Sequence, residues 1–116
     1  MGARINYVFK DGTDTSVVLY SHWGQYEWQN DIANALQHAK PRWGDSQYGT
    51  RMMISHLIKD SIMDETGFGI YSVHGDDYDF GDQVVVIDFT NKTVTDNVSV
   101  NWDNFVKAYG RDLVNA

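Results

Sequence analysis

The sequence predicts a single α+β domain over residues 1–116, with a mainly antiparallel sheet and helices packed on it. Three features support this class. The length of 116 residues suits one domain. Strand-like segments fall into two groups, one near the start of the chain and one in its second half. Two helix-period segments lie between these groups and a third follows them, so the predicted order is ββααβββα.

The first group is predicted to be a hairpin. Residues 4–9 alternate between apolar and polar side chains, which is typical of a half-buried strand. Residues 10–14 contain an Asp-Gly pair, a strong turn signal. Residues 16–20 form a short apolar run and give the second strand of the hairpin.

Two helices are predicted in the middle of the chain. In the first, the apolar residues share one face and Pro41 stops the helix, because the residue before a proline disfavours helical geometry. The second is predicted over about residues 47–62, with Asp45 or Ser46 as its N-cap. The predicted core stripe of this second helix consists of Ile54, Leu57, Ile58 and Ile62.

The second half of the chain is predicted to complete the sheet and close the domain. Residues 69–74 read as a strand, and residues 83–89 are the most apolar run, typical of a strand buried on both faces. A tight turn at Asn91-Lys92 leads into residues 93–95, which complete a second hairpin. An amphipathic helix beginning near Trp102 follows, with Asn101 or Asp103 as its cap.

The composition narrows the possible partners. A net charge of −7 argues against binding to the nucleic-acid backbone, because phosphates need a basic surface. No apolar run approaches the roughly 20 residues that span a bilayer, so no membrane partner is expected. The absence of cysteine fits the reducing cytoplasm. An aromatic content of 14% suggests more apolar surface than one domain hides, and a homo-oligomer, most simply a two-fold dimer, is expected.

No metal or cofactor is predicted. The four histidines show no tight ligand spacing, and His38 and His56 fall on different helices. The acidic stretch at residues 76–79 resembles a calcium loop only superficially, since it lacks the EF-hand glycine and glutamate.

The candidate site is a set of aromatic, cationic and glycine-bounded residues near element ends. Rings of this kind stack on bases, and arginines clamp phosphates, so a nucleotide-like anion is the predicted ligand. The set converges on one pocket if the strand ends at His22 and Thr66 lie side by side. It consists of His22, Trp23, Arg42, Trp43, Tyr48, Arg51, Thr66 and Gly67.

Each of these residues also has a structural alternative. Trp23 and Trp43 would plug the two ends of the core. Arg51, placed by its spacing on or beside the buried face of the second helix, would pack its stem and pair its head with an acid such as Glu65.

Three segments carry a resemblance to a family: Leu-Tyr-Ser-His-Trp-Gly at residues 19–24, Arg-Trp-Gly-Asp at 42–45 and Glu-Thr-Gly-Phe-Gly-Ile at 65–70. With Tyr48 and Arg51 between them, the chain resembles small uncharacterised proteins encoded by tailed bacteriophages and some bacteria. The resemblance implies a phage accessory protein that works in the host cytoplasm. Such proteins often inhibit host defence by binding a host protein or a signalling nucleotide.

Three functions follow as hypotheses. The first is a non-enzymatic binding protein that sequesters a small anionic or nucleotide-like ligand. The second is an inhibitor whose acidic surface occupies a basic site on a host protein. The third is a hydrolase that uses His22 as its base, although no nucleophile motif accompanies it. Because no reaction signature is complete, binding is favoured over catalysis, and no catalytic residue is assigned.

Overall fold

A computed structural model describes residues 4–22, 27–75 and 82–110 of the chain. The strands are β1 (Ile5–Lys10), β2 (Thr15–Ser21), β3 (Phe68–His74), β4 (Gln83–Asp88), β5 (Thr93–Thr95) and β6 (Ser99–Asn101). The helices are α1 (Trp28–His38), α2 (Ser46–Leu57) and α3 (Trp102–Tyr109), with a short 3₁₀ turn at Lys40–Arg42 between α1 and α2.

The six strands form one sheet in the order β3-β2-β1-β4-β5-β6. The predicted α+β class is confirmed and most neighbours are antiparallel, but β1 and β4 pair in parallel, so the sheet is mixed. The strand β6 was not predicted, because its three residues are too few for an alternating pattern to show.

The strand β1 is buried more completely than its alternating pattern predicts. Ile5, Tyr7 and Phe9 belong to the core beneath the helices. Asn6 and Val8 point to the opposite face of the sheet, yet Val8 is 0% exposed and Asn6 is also buried. The prediction of a half-buried strand is therefore wrong. Side chains of nearby strands cover this face of β1: Val18, paired with Val8, is also 0% exposed, and the Tyr71 hydroxyl donates to Asn6.

The apolar run in β4 shows the opposite deviation. Val85 and Ile87 are fully buried in the core, whereas Val84 and Val86 on the other face are partly exposed. The prediction of a strand buried on both faces is wrong. The helices pack against only one face, which covers alternate residues of β4.

The helix α1 follows its predicted pattern closely. Its buried residues include Trp28, Ile32 and Leu36, which form the stripe expected from the sequence. The helix ends at His38, and Pro41 lies in the 3₁₀ turn that follows, where a proline near the first position is tolerated.

The helix α2 begins as predicted and ends early. The Asp45 carboxylate accepts hydrogen bonds from the backbone N–H groups of Gln47 and Tyr48, both at 3.2 Å, which confirms it as the N-cap. The helix ends at Leu57, and tight turns follow instead of further α-helical bonds. Ile62 therefore lies beyond the helix and is 64% exposed, so its place in the predicted core stripe is wrong.

An aromatic cluster closes one end of the core. Trp102, at the start of α3, is fully buried and meets Phe89 and Trp43 edge-on, with ring centroids 4.8 and 5.1 Å away. Its indole N–H donates to the Thr93 carbonyl at 3.0 Å, so the ring is also held by a hydrogen bond. The Asn101 side chain accepts from the Asn104 N–H and caps α3, as predicted.

Gly49 is the point where α2 packs most closely on this cluster. A Cβ atom at Gly49 would lie 2.5 Å from the Phe89 ring and 2.7 Å from the Arg42 carbonyl oxygen. The Arg42 backbone cannot move aside as a flexible side chain could, so a side chain here would force the helix away from the core.

Gly49→Ala is expected to lower the free energy of unfolding by about 1–3 kcal/mol, because overpacking outweighs the gain in helix propensity of about 1 kcal/mol. Urea unfolding followed by circular dichroism measures this. Gly44→Ala is the matched control, because its added Cβ meets no described atom within 4 Å. Equal midpoints for the two variants would contradict the close packing at Gly49.

Candidate functional site

Part of the predicted site assembles where β2 ends and β3 begins. Ser21 pairs with Phe68 across the two strands, and the His22 N–H donates to the Gly67 carbonyl at 2.9 Å. Thr66 and Gly67 therefore lie beside His22, which confirms that the two strand ends are neighbours. Trp23, predicted to belong to the same pocket, lies outside the described residues.

Another part lies at the opposite end of the sheet, near the turn after β1. Ser46, the first residue of α2, donates to the Asp11 carboxylate in that turn at 3.1 Å. The Arg42 guanidinium lies over the ring of Tyr48 at 5.1 Å, and Tyr48 is itself exposed. Trp43 is half-buried, and its indole N–H donates to the Leu36 carbonyl at 2.9 Å. These residues do not join His22 in one pocket.

Arg51 is exposed, and the prediction that it lies on or beside the buried face of α2 is wrong. The buried residues of this helix are Gly49 and Met53, each two positions from Arg51. At 3.6 residues per turn, two positions correspond to about 200°, which places Arg51 on the outer side. Its guanidinium contacts Ser55 on the same helix at 3.3 Å, so the predicted pairing with Glu65 does not form.

A cavity of about 420 Å³ opens at the β2–β3 end of the sheet. The segment that leads into β3 contributes Thr66 and Gly67 to its wall, and β3 itself contributes Phe68. The core face of the sheet contributes Tyr7 and Ser21. The remaining wall comes from α1, from the end of α2 and from the turns after it, through Asp31, Leu57, Ser61 and Asp64. Secondary structure from both layers therefore shapes this cavity.

A second cavity, of about 530 Å³, adjoins the first and shares the wall formed by residues 66–68. It is lined by Tyr20 and His22, which project from the end of β2, and most of its surface is apolar. The Tyr20 hydroxyl lies 2.9 Å from Nδ1 of His22, so the two side chains orient each other.

Tyr7 is the most informative residue of the first cavity. Its side chain is only 1% exposed, and no residue within 4–22, 27–75 and 82–110 forms a hydrogen bond with its hydroxyl. In the described structure the buried side-chain atom without a partner is Oε1 of Gln37 and not the Tyr7 hydroxyl, so this hydroxyl borders the open cavity. Burial, and to a lesser extent the Asp31 carboxylate, raise the pKa of Tyr7, so the phenol stays protonated and can donate or accept.

The charge of the first cavity differs from the one predicted. Among the described residues that line it, the charged ones are Asp31 and Asp64, and none is a lysine or arginine. Tyr7, Asp31 and Asp64 were not predicted as site residues. A signal was present for two of them: Tyr7 is a polar-tipped residue in a predicted buried strand, and Asp31 borders the apolar stripe of α1 beside Ile32.

The two helices bring His38 and His56 together, with ring centroids 5.4 Å apart. These histidines were not expected to meet, because the sequence does not show how α1 and α2 pack against each other. In the described part of the chain, no group of three or more histidine, cysteine, aspartate or glutamate residues could hold a metal ion.

Comparisons with known proteins returned no match: no family model matches the chain, and no curated protein or solved structure is significantly similar to it. The resemblance to phage-encoded proteins therefore stays a prediction. Within the described ranges, no helix is long and apolar enough to cross a membrane.

Tyr7→Phe is expected to leave the free energy of unfolding within about 0.5 kcal/mol of the wild-type value, because the lost hydroxyl has no described protein partner. Tyr71→Phe is the matched comparison. The Tyr71 hydroxyl donates to buried Asn6 at 2.8 Å, and losing this bond should cost about 1–2 kcal/mol. Denaturant unfolding of both variants measures the difference, and an equally large loss in Tyr7→Phe would show that its hydroxyl is paired.

Arg51→Ala is expected to change the free energy of unfolding by less than about 0.5 kcal/mol, because an exposed contact with Ser55 contributes little. Thermal melting checks this, with the wild-type chain as reference. Unfolding of the variant at room temperature would instead support the buried arginine predicted from the sequence.

Proposed function

We propose that the chain is a binding protein whose ligand is a small organic molecule bearing a protonated amine, held in the 420 Å³ cavity. The observation that carries this is the charge of the cavity wall, where the charged residues among the described ones are Asp31 and Asp64 and Asp31 acts on the Tyr7 hydroxyl. A ligand that bears a donor can contact both the carboxylate and the hydroxyl.

The size of the cavity supports a small ligand. Sites for small molecules measure about 300–1,000 Å³, and 420 Å³ lies near the lower end of this range. The wall combines apolar surface from Leu57 and Phe68 with hydroxyl groups from Ser21, Ser61 and Thr66. This mixture suits a molecule with a short hydrocarbon body and a polar head.

The charge of the cavity wall determines which polar head group of a ligand it favours. Asp31 and Asp64 both line the cavity and are exposed, so an anion there would meet like charges. The clamp predicted for an anion, Arg51, lies on the outer side of α2. An ammonium group gains attraction from the carboxylates and has three donors for the surrounding oxygen atoms.

The nucleotide-like anion predicted from the sequence remains the alternative. The second cavity favours it, because Tyr20 and His22 offer ring surfaces there and the wall is mostly apolar. The two cavities share residues 66–68. The variants that weaken binding therefore show which of the two cavities a ligand occupies.

Binding is better supported than hydrolysis. The hydrolase hypothesis needs a nucleophile beside His22, and Ser21 is its neighbour in sequence. Ser21 lines the first cavity and is buried, whereas His22 lines the second. Successive residues at a strand end point to opposite faces, so these two side chains do not act on one substrate. The resemblance to phage-encoded proteins leads to the further proposal that the protein inhibits host defence in the host cytoplasm. Sequestering a ligand is compatible with that role.

Calorimetric titration with 1,4-diaminobutane, ethanolamine and spermidine is the test, set against a panel of mono-, di- and cyclic nucleotides. At least one amine is expected to bind. Asp31→Asn should weaken that binding by about 1.5–3 kcal/mol, the range for a hydrogen bond to a charged group, and Tyr7→Phe by about 1 kcal/mol.

Asp14→Asn is the control, because it removes the same charge from an exposed turn at the far end of the sheet. It should leave amine affinity unchanged. The anionic alternative would be favoured if binding heat were seen with nucleotides and not with amines, and if His22→Ala reduced it while Asp31→Asn did not. No heat from either class would favour the inhibitor that acts by binding a host protein through its acidic surface.

A further inference from the structure

His38 and His56 form a pair of metal-ligating side chains that the proposed function does not use. His38 is the last residue of α1, and His56 lies one position before the end of α2. Packing of the two helices brings their imidazole rings together, with centroids 5.4 Å apart and ring planes tilted by 36°. His38 is exposed and His56 is half-buried, so the pair lies at the surface, where an ion from solution can reach it.

The helices hold the two histidines in defined positions. Asn34 and Asp31 lie four and seven residues before His38, on the same face of α1. Both line a small cavity of about 190 Å³ together with His56, so this face of α1 is turned toward His56. Met53, one turn before His56, is fully buried in the core, which fixes α2 at this point. Sites built on packed helices are more precise than sites on loops.

The separation of the rings matches the distance that one tetrahedral zinc ion requires. Zinc lies about 2.0–2.1 Å from a coordinating histidine nitrogen, and therefore about 3.2 Å from the ring centroid. Two imidazoles at a tetrahedral angle then have centroids about 5.2 Å apart. A right angle, as in square-planar copper(II) or octahedral nickel(II) sites, would bring the centroids to about 4.5 Å. The observed 5.4 Å is closer to the tetrahedral value.

We propose that His38 and His56 bind one Zn²⁺ ion that bridges α1 and α2. Imidazole nitrogen is a ligand that suits zinc. No third histidine, cysteine, aspartate or glutamate of the described residues joins the pair, so water molecules complete the four-coordinate shell. The ion is therefore exchangeable and bound more weakly than in sites with three or four protein ligands. These two ligands differ from the residues proposed to hold an amine, so either proposal can fail without the other.

The charge around His56 favours a cation. Asp31 and Asp60 line the small cavity beside it, and the chain as a whole carries a net charge of −7. Carboxylates in this position can accept hydrogen bonds from metal-bound water or from the ring N–H that does not face the metal. Lys59 also lines the cavity, but it is exposed, so its ammonium group can extend into solvent.

Calorimetric titration of the untagged, metal-free chain with zinc chloride tests the proposal, and one zinc ion per chain is expected. His38→Ala and His56→Ala should each weaken binding by about tenfold or more, because each removes one of the two protein ligands. His74→Ala is the matched control. His74 is an exposed histidine at the end of β3, so its loss should leave zinc affinity unchanged.

Thermal melting shows whether the ion bridges the two helices in the folded chain. Zinc should raise the melting temperature of the wild-type chain and of His74→Ala, because an ion that binds the folded state preferentially stabilises it. The increase should be lost in His38→Ala and His56→Ala. Without zinc, both of these variants should melt close to the wild-type temperature, which separates loss of the site from loss of the fold.

Cobalt(II) tests the geometry, because a tetrahedral cobalt centre absorbs visible light far more strongly than an octahedral one. Strong absorption is expected in the wild-type chain, and it should disappear when zinc is added and be absent from His38→Ala and His56→Ala. Three results would overturn the proposal: no zinc binding by the wild-type chain, zinc binding of wild-type strength in both of these variants, or cobalt bound only with the weak octahedral spectrum.

Discussion

The parallel pairing of β1 with β4 holds this fold together. On one side of it, β1, β2 and β3 form an antiparallel unit, and on the other side β4, β5 and β6 form a second one. The pairing runs over six residue pairs, from Ile5 opposite Gln83 to Lys10 opposite Asp88. It joins the two units into one surface wide enough for the three helices to cover. It also places β1 in the interior of the sheet, where Val8 pairs with Val86 on the face away from the helices.

The cavity is a consequence of the same arrangement. The central position of β1 buries Tyr7 and leaves its hydroxyl among side chains from other elements. The helix α1 brings Asp31 near that hydroxyl, and α2 ends at Leu57 before it can cover the sheet end. The turns that replace the last part of the predicted helix bring Asp64 to the rim. The early end of α2 therefore removes Ile62 from the core and leaves the cavity open.

The two ends of the sheet have different physical characters. At one end, Trp43, Phe89 and Trp102 pack edge to face, and indole N–H groups donate to backbone carbonyls, so large rings fill the volume and polar atoms are paired. At the other end, small and polar side chains leave a cavity and Tyr7 lacks a described partner. Close packing stabilises the first end, whereas the other end keeps an open cavity.

The sequence by itself determined the features that depend on near neighbours along the chain. The hairpin of β1 and β2, the apolar face of α1, its stop before Pro41 and the caps at Asp45 and Asn101 each depend on residues only a few positions apart. The meeting of His22 with Gly67, by contrast, joins residues 45 positions apart, and the pairing of β2 with β3 decides it.

Only the tertiary structure decided which distant segments meet. The pairing of β1 with β4 joins residues 78 positions apart, such as Ile5 and Gln83, and no local pattern specifies a partner at that separation. The outward position of Arg51 depends on which side of α2 the sheet buries, which apolar spacing alone predicted wrongly. Tyr7 and Asp31 became neighbours for the same reason. Local patterns set the shape of each segment, whereas burial and charge at a site depend on contacts between segments that only the packed chain creates.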